Sequence, residues 1–400
     1  VPARPRQGLG PPRAVAARIA VTTKFPADRR WLRSGTEFRE TLHGSIAAAR
    51  RSVRLEFYIV APDATGTAVR DALADAADRG VAVRVLVDAL GTTALPSGFW
   101  RPVTGSGCEI KVFNPLTSRR LPVRDHRKLV VVDDELAIVG GFNLSDDYAG
   151  DGVASGWADC GLVLRGPAVA GLARSFDRMS ALCDATQPRA MLARLGKGHR
   201  PPAETIAPGT QLLLSGPGRK PNAFQKLLRD DVAQARTIRF VSAYFLPGFL
   251  MRRLLRRAAK RGARVQVIVP GKSDVALSQR AARHLYTGLL RAGVEIWEYE
   301  PQVLHTKLFL VDGAVYVGSS NLDTRSLHIN HELMIRLIDP EVVAGGEALF
   351  ADLLGRSRRI DPAGWRASRS WWEKLRERWA FCILSQVDPY VTRWLVLGPR

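Results

Sequence analysis

The chain has 400 residues, 46% of them hydrophobic, enough for a large core and for two or more domains. Lys plus Arg outnumber Asp plus Glu by 59 to 38, and the net charge of +21 favours polyanionic partners, either nucleic acid or an anionic membrane face. Four widely spaced cysteines (Cys108, Cys160, Cys183, Cys382) fit neither a disulfide framework nor a zinc site and suit a reducing compartment. No apolar run approaches the roughly 18 residues that a spanning helix needs.

Residues 1–30, rich in Pro, Arg and Gly, read as a basic flexible lead-in. A helical period follows at Phe38, Leu42, Ile46 and Ala49, then a strand over 53–60, a helix over 67–79 closed by Gly80, and a buried strand over 81–88. Strand, helix and strand at this spacing predict a parallel βαβ unit. A short strand at 110–113 precedes the stretch that organises the chain, His126-x-Lys128-x4-Asp133, followed by Gly140-Gly141-Phe-Asn143.

The same grammar returns as His305-x-Lys307-x4-Asp312, followed by Gly318-Ser319-Ser320-Asn321. Other landmarks repeat with it. Arg51-Ser-Val-Arg54 parallels Arg236-Thr-Ile-Arg239 at an offset of 185, Arg79-Gly80 parallels Arg261-Gly262 at 182, and Gly107 parallels Gly293 at 186. The histidines are offset by 179, so the first copy carries seven extra residues within 116–125. The strands that close each copy, 159–167 and 332–340, are offset by 173. The chain is thus an internally duplicated α/β protein: one lobe over 31–195, a Gly/Pro-rich linker over 196–216, a second lobe over 217–360, and a tail over 361–400.

On an extended segment His126 and Lys128 share one face, as do His305 and Lys307, while Arg127 points the other way. Two imidazoles and two ammoniums meeting between lobes suit a phosphodiester. One His attacks phosphorus, the other protonates the leaving oxygen, and the lysines stabilise the equatorial oxygens. Each imidazole needs a carboxylate to fix its tautomer, and Asp159 and Glu332 occupy matching positions for this. Asp133 and Asp312, at odd spacing from their histidines, face away and are expected to orient or compensate charge. Asn143 and Asn321 bring amide donors that suit a phosphate oxygen. Neither a metal nor another cofactor is expected. His43, His199 and His284 carry no assigned role; His328 and His331 either touch substrate or pack.

These residues resemble the phospholipase D superfamily, whose signature is the duplicated His-x-Lys-x4-Asp motif. Gly318-Ser-Ser-Asn-Leu-Asp-Thr-Arg-Ser326 with Asn330-His-Glu332 looks most like bacterial cardiolipin synthases of the type lacking amino-terminal transmembrane helices. The resemblance implies two tandem phospholipase D-like lobes with the active site at their interface. It also implies a ping-pong transfer in which His126 takes up a phosphatidyl group and His305 acts as acid, then base, with phosphatidylglycerol as both donor and acceptor. Gly141 stands where the family often has Ser, which the second copy keeps as Ser319, and the first lobe has Asp159 where the second has Glu332.

Basic residues at 252, 253, 256, 257, 260, 261 and 264 form a stripe without an acid, suited to anionic headgroups or to a nucleic-acid backbone. Arg119, Arg120 and Arg124 are candidate gating cations beside the first motif. In the tail, Trp371, Trp372, Leu375, Trp379 and Ile383 recur at helical spacing, either for a membrane interface or for packing on the second lobe. The expected enzyme is a peripheral phosphatidyltransferase on the cytoplasmic face of the cell membrane, with no nucleic-acid partner. The alternatives are a phospholipase D-type hydrolase or nuclease, and a catalytically silent lipid-binding scaffold.

Overall fold

The computed structural model describes residues 29–105, 108–115, 122–183, 203–218 and 220–387. Most of the expected lead-in, Arg119, Arg120, His199 and the first part of the expected linker lie outside the described residues.

Two mixed sheets form the framework. The first holds β1 (Arg29–Leu32), β2 (Ser52–Phe57), β3 (Ala82–Asp88), β4 (Glu109–Phe113), β5 (Leu129–Val132), β6 (Leu136–Gly140) and β7 (Gly161–Arg165), in the order β1-β7-β6-β5-β2-β3-β4. The second holds β8 (Glu204–Ala207), β9 (Thr210–Ser215), β10 (Thr237–Ser242), β11 (Arg264–Pro270), β12 (Glu295–Tyr299), β13 (Lys307–Val311), β14 (Ala314–Gly318), β15 (Glu332–Leu337) and β16 (Ser357–Arg359). Its order is β16-β12-β11-β10-β13-β14-β15-β9-β8, so the six strands from β7 to β4 are matched one for one by those from β15 to β12.

The expected βαβ unit is present in both copies. In the first, β2 and β3 are parallel around α2 (Ala64–Asp78), which Asp63 caps by accepting from the Gly66 N–H. In the second, β10 and β11 are parallel around α5 (Phe249–Lys260), after α1 (Gly35–Ala48), α3 (Ala168–Cys183) and α4 (Ala223–Gln234) in chain order. Runs such as Val85-Leu86-Val87 are buried on both faces, which is why the central strands are apolar throughout rather than alternating.

The expected linker needs correction. Residues 204–215 form β8 and β9, and β9 pairs antiparallel with β15 as β1 pairs with β7. The second repeat therefore opens at β9, before the boundary placed at 217. Thr210-Gln-Leu-Leu-Leu-Ser215 is a short strand between Gly209 and Gly216, and its flanking glycines and prolines gave it the look of a connector.

One core lies between the sheets. Leu129, Val131, Val139 and Leu162 of the first pack with Leu308, Leu310, Val317 and Leu333 of the second, together with α3 and α7 (Pro340–Gly355). Burying each such Leu or Val contributes about 1.5–3 kcal/mol, so the seam is a core rather than a hinge. Trp31 of β1 donates its indole N–H to the Val342 carbonyl of α7 at 3.0 Å, tying the chain's first described strand to its last sheet-covering helix.

Candidate active site

Each motif histidine sits on an extended segment just ahead of its strand, His126 before β5 and His305 before β13. A one-residue parallel bridge joins each segment to the opposite lobe, Asp125 with His331 and Leu304 with Ala158. Around the first, the His126 N–H donates to the His331 carbonyl at 3.0 Å and the His331 N–H donates to the Arg124 carbonyl at 2.9 Å. Around the second, the His305 N–H donates to Ala158 at 2.8 Å and the Ala158 N–H donates to Val303 at 2.9 Å.

The residue after each bridge partner is a carboxylate. Glu332 of the second lobe reaches His126 of the first, Nδ1 to Oε2 at 3.1 Å. Asp159 of the first lobe reaches His305 of the second, Nδ1 to Oδ2 at 2.6 Å. The two imidazole–carboxylate pairs are thus exchanged between lobes. Both carboxylates are fully buried and face Nδ1 of their histidines, which fixes the two rings in place, while Lys307 Nζ also lies 2.9 Å from His305 Nε2.

The lysines complete the cluster. Lys128 Nζ donates to the His126 carbonyl at 2.7 Å, and Lys307 Nζ lies 2.7 Å from a ring nitrogen of His305. Burial holds Lys128 down to about 7 and Lys307 down to about 8. Burial and then Lys128 hold His126 well below its ordinary value; burial and then Lys307 bring His305 to about 4. Burial raises Glu332 to about 8, against the pull of Lys128. Every shift reports charge confined without water, and an anionic phosphodiester between the lysines favours their charged forms.

A cavity of about 380 Å³ opens over both histidines. Its wall is aromatic: Tyr58 lies 4.9 Å from the His126 ring, while Tyr148 and Trp157 lie 5.2 Å and 5.6 Å from His305. Tyr244, Asn321 and Arg325 also line it. The motif spacing did not point to these aromatics. The histidine offset of 179 falls to 173 at the closing strand, marking six extra first-lobe residues, and the segment between Gly141 and Cys160 carries Tyr148 and Trp157.

Ser319 donates to Glu332, bracing it from behind. The first-lobe departure is compensated: a Cβ on Gly141 would lie 2.3 Å and 2.4 Å from the Asp159 oxygens, so the shorter carboxylate occupies the space that a side chain there would fill. Asn143 lines the cavity, accepts from the Ile59 N–H at 3.2 Å and gives its amide to the Tyr148 hydroxyl at 2.8 Å, which holds the aromatic wall. Asn321 accepts from the Tyr244 N–H at 3.3 Å and lines the cavity.

Asp133 and Asp312 stand apart from this cluster. Asp133, with φ +55°, accepts from the N–H groups of Arg50, Arg51 and Ser52 at 2.9, 2.7 and 2.8 Å. Burial works upward on its carboxyl, but these three donors outweigh it and the net shift is down. Asp312, with φ +46°, holds the N–H groups of Arg236 and Thr237 in the same way. Both motif aspartates pin the turn at the far end of the strand, away from the histidines and lysines.

Arg124 is not a gate. It is 2% exposed and paired with Asp88 at 3.2 Å beneath the motif. Arg127 points away from the cavity, as its position predicts, to Glu56 at 3.0 Å and Ser175 at 2.7 Å. His331 is buried against Phe113, and His328 meets Gln225 at 3.1 Å; neither lines the cavity. Among the described residues no cluster of metal-binding side chains occurs, and no helix is long and apolar enough to cross a membrane.

The family described as "Cardiolipin synthase, PLD-like domain" matches residues 42–179 and 229–354, which contain both motifs. The chain belongs to this cardiolipin synthase, phospholipase D-like family. It is 33% identical over 352 residues to cardiolipin synthase 2 of Bacillus cereus, covering 85% of this chain and 67% of that protein. It is 32% identical over 358 residues to cardiolipin synthase A of Pseudomonas aeruginosa, covering 85% and 72%. It spans about two thirds of the length of these cardiolipin synthase relatives. Among solved structures, phosphatidylserine synthase of Haemophilus influenzae superposes with a TM-score of 0.68 at 14% identity, over 91% of this chain and 95% of the other. Polyphosphate kinase of Porphyromonas gingivalis superposes at 0.54 and 15% identity, over 84% and 49%. The fold shared with this family thus extends to a phosphoryl-transfer enzyme of another class, and fold alone does not choose the substrate.

Proposed function

We propose that the protein is a phosphatidyltransferase that joins two phosphatidylglycerol molecules into cardiolipin and releases glycerol at a membrane surface. The observation that carries this reading is the exchanged pair of imidazole–carboxylate contacts beside two buried lysines. It supplies one nucleophile and one proton carrier around a single anion.

His126 Nε2 attacks phosphorus while the bond to the departing glycerol oxygen breaks, and the His305 imidazolium gives that oxygen its proton. Glu332 stabilises the positive charge that builds on His126 as the phosphorus–nitrogen bond forms. In the second step His305 takes the proton from the hydroxyl of the acceptor phosphatidylglycerol, whose oxygen attacks phosphorus and releases His126. Lys128 and Lys307 stabilise charge on the non-bridging oxygens through both steps. His305 starts the cycle protonated only once the substrate phosphate is bound, because the anion opposes the effects of burial and of Lys307.

Similarity to cardiolipin synthases supports the choice of lipid, and the aromatic wall suits a glycerol backbone and the first acyl carbons. The test is product analysis with purified protein on phosphatidylglycerol vesicles, beside His126→Ala. Cardiolipin and glycerol in equal amounts from the wild type alone support the reading. Phosphatidic acid instead makes water the acceptor and the protein a hydrolase. Cleavage of nucleic acid with no lipid product overturns the reading.

A further inference from the structure

The tail helix α8 (Trp371–Cys382) packs on α6 (Ala276–Leu290), but not with its tryptophans. Glu377 and Ala380 face inward, and the second of the two readings for this tail is overturned. Trp371, Trp372, Leu375 and Trp379 are 63%, 56%, 49% and 63% exposed, an outward apolar stripe at i, i+1, i+4 and i+8. A capping box at Ser370 and Glu373 fixes where the helix starts, and Arg369 pairs with Glu377 on its inner side. The stripe is therefore held outward by a defined helix rather than left on a loose end.

Two further features adjoin this helix. At the start of α5, Phe249 and Leu250 are 61% and 51% exposed, and Arg252, Arg253, Arg256, Arg257 and Lys260 follow along the helix. None of these five cations has an ion pair among the described residues. Between α5 and α6 lies a cleft of about 270 Å³, lined by Phe249, Arg252, Arg256, His284, Leu285 and Leu289. Phe381 of α8 meets two of the lining residues: it lies 4.9 Å from the His284 ring and 5.3 Å from the Arg252 guanidinium.

The charges around this cleft have one sign. Burial and then Arg256 lower Arg252, and burial, Arg252 and then Arg378 lower His284. Arg252 Nε is buried and has no acceptor. The cleft offers unmatched donors above an apolar floor, the complement of a lipid phosphate with its acyl chains beside it. The face also adjoins the catalytic cavity, which is lined by Leu246, three residues before α5, by Val275 at the start of α6, and by Leu384 just beyond α8.

We propose that the face formed by α5, α6 and α8 docks the protein on an anionic phospholipid bilayer, with Arg252, Arg256 and His284 holding a headgroup phosphate outside the catalytic cavity. The tryptophans and Phe249 enter the interfacial layer, and the cavity mouth is brought to the same surface, where substrate enters without leaving the membrane. The inference rests on the lipid reading of the active site.

The test is vesicle flotation of the full chain with phosphatidylcholine alone and with phosphatidylcholine mixed with phosphatidylglycerol. The wild type is expected to float only with the mixed vesicles. Arg252→Glu/Arg256→Glu is expected to weaken that binding by about 30-fold or more, a factor of about five for each guanidinium removed from the surface potential. Trp371→Ala/Trp379→Ala is expected to reduce binding to the mixed vesicles at every phosphatidylglycerol fraction. Arg33→Glu/Arg50→Glu, at exposed first-lobe positions, changes net charge equally and is expected to bind as the wild type does. Thermal unfolding checks that each variant is folded, and Arg252→Gln/Arg256→Gln replaces the reversal pair if that pair is not. Wild-type binding by a folded Arg252/Arg256 pair, or equal loss in the first-lobe control, overturns the proposal. Failure of the lipid reading looks different: the wild type then binds mixed vesicles but makes no cardiolipin, glycerol or phosphatidic acid.

Discussion

Replacing Glu332 by Gln removes the carboxyl that faces an imidazole of the other lobe as positive charge builds on it, and the loss is expected to fall on nucleophilic attack. Glu332 is fully buried and 3.1 Å from His126 Nδ1, so no water takes its place. A buried hydrogen bond to a charged group contributes about 1.5–3 kcal/mol, which is about 10- to 150-fold in rate. The amide can also turn its NH₂ toward Nδ1 and favour the tautomer with a proton on Nε2, and wrong-tautomer losses of this kind reach about 10⁴. Asp159→Asn, by contrast, disables the proton on His305, which is needed only when the leaving oxygen is basic. Two substrates separate the steps: phosphatidylglycerol, whose glycerol must be protonated, and a phosphatidyl p-nitrophenyl ester, whose phenolate leaves unaided. Stopped-flow measurement of the nitrophenolate burst should show Glu332→Gln slowed by about 10²-fold or more and Asp159→Asn by less than about tenfold. Both should be slow on phosphatidylglycerol. A burst spared by Glu332→Gln and abolished by Asp159→Asn would refute the exchanged assignment.

Gly141→Ala should push the Asp159 carboxylate off His305, costing about 1–3 kcal/mol in stability and most of the turnover, read by thermal unfolding and product formation. Arg127→Met should destabilise the fold by about 3–5 kcal/mol in urea titration, because it strips the cation from buried Glu56 and Asp125. His305 links stability to pH. Its folded value of about 4 lies below the ordinary 6.5, so the unfolded chain binds the extra proton between those values. Stability should therefore fall as pH drops from 6.5 to 4, with this group contributing up to about 1.4 kcal/mol per pH unit, and His305→Gln should show a shallower fall in urea midpoint.

The duplication, the βαβ unit and the clustered His and Lys residues were legible because they depend on spacing within one lobe. Asp159 and Glu332 were found by matching copies, but spacing within a copy cannot say which histidine each one serves. That follows from bridges between residues more than 140 positions apart, Asp125 with His331 and Ala158 with Leu304. Asp133 and Asp312 sit inside the signature yet act on turn N–H groups, since the strand that separates each from its histidine carries it to the far end of that strand. The strand β9 was hidden by the glycines and prolines that flank it. The outward tryptophans of α8 share a periodicity with a buried stripe, and only Glu377 and Ala380 reveal which side faces the protein.

The exchange of carboxylates also sets a timetable. A chain made from its amino terminus completes His126 and the whole first sheet long before residue 332 exists. Until that residue arrives and the lobes close, the histidine has no buried partner to fix its tautomer and only half of the lysine pair. His305 differs, because its own partner, Asp159, is already present when it is made. The two imidazole–carboxylate pairs are therefore completed together, at lobe closure.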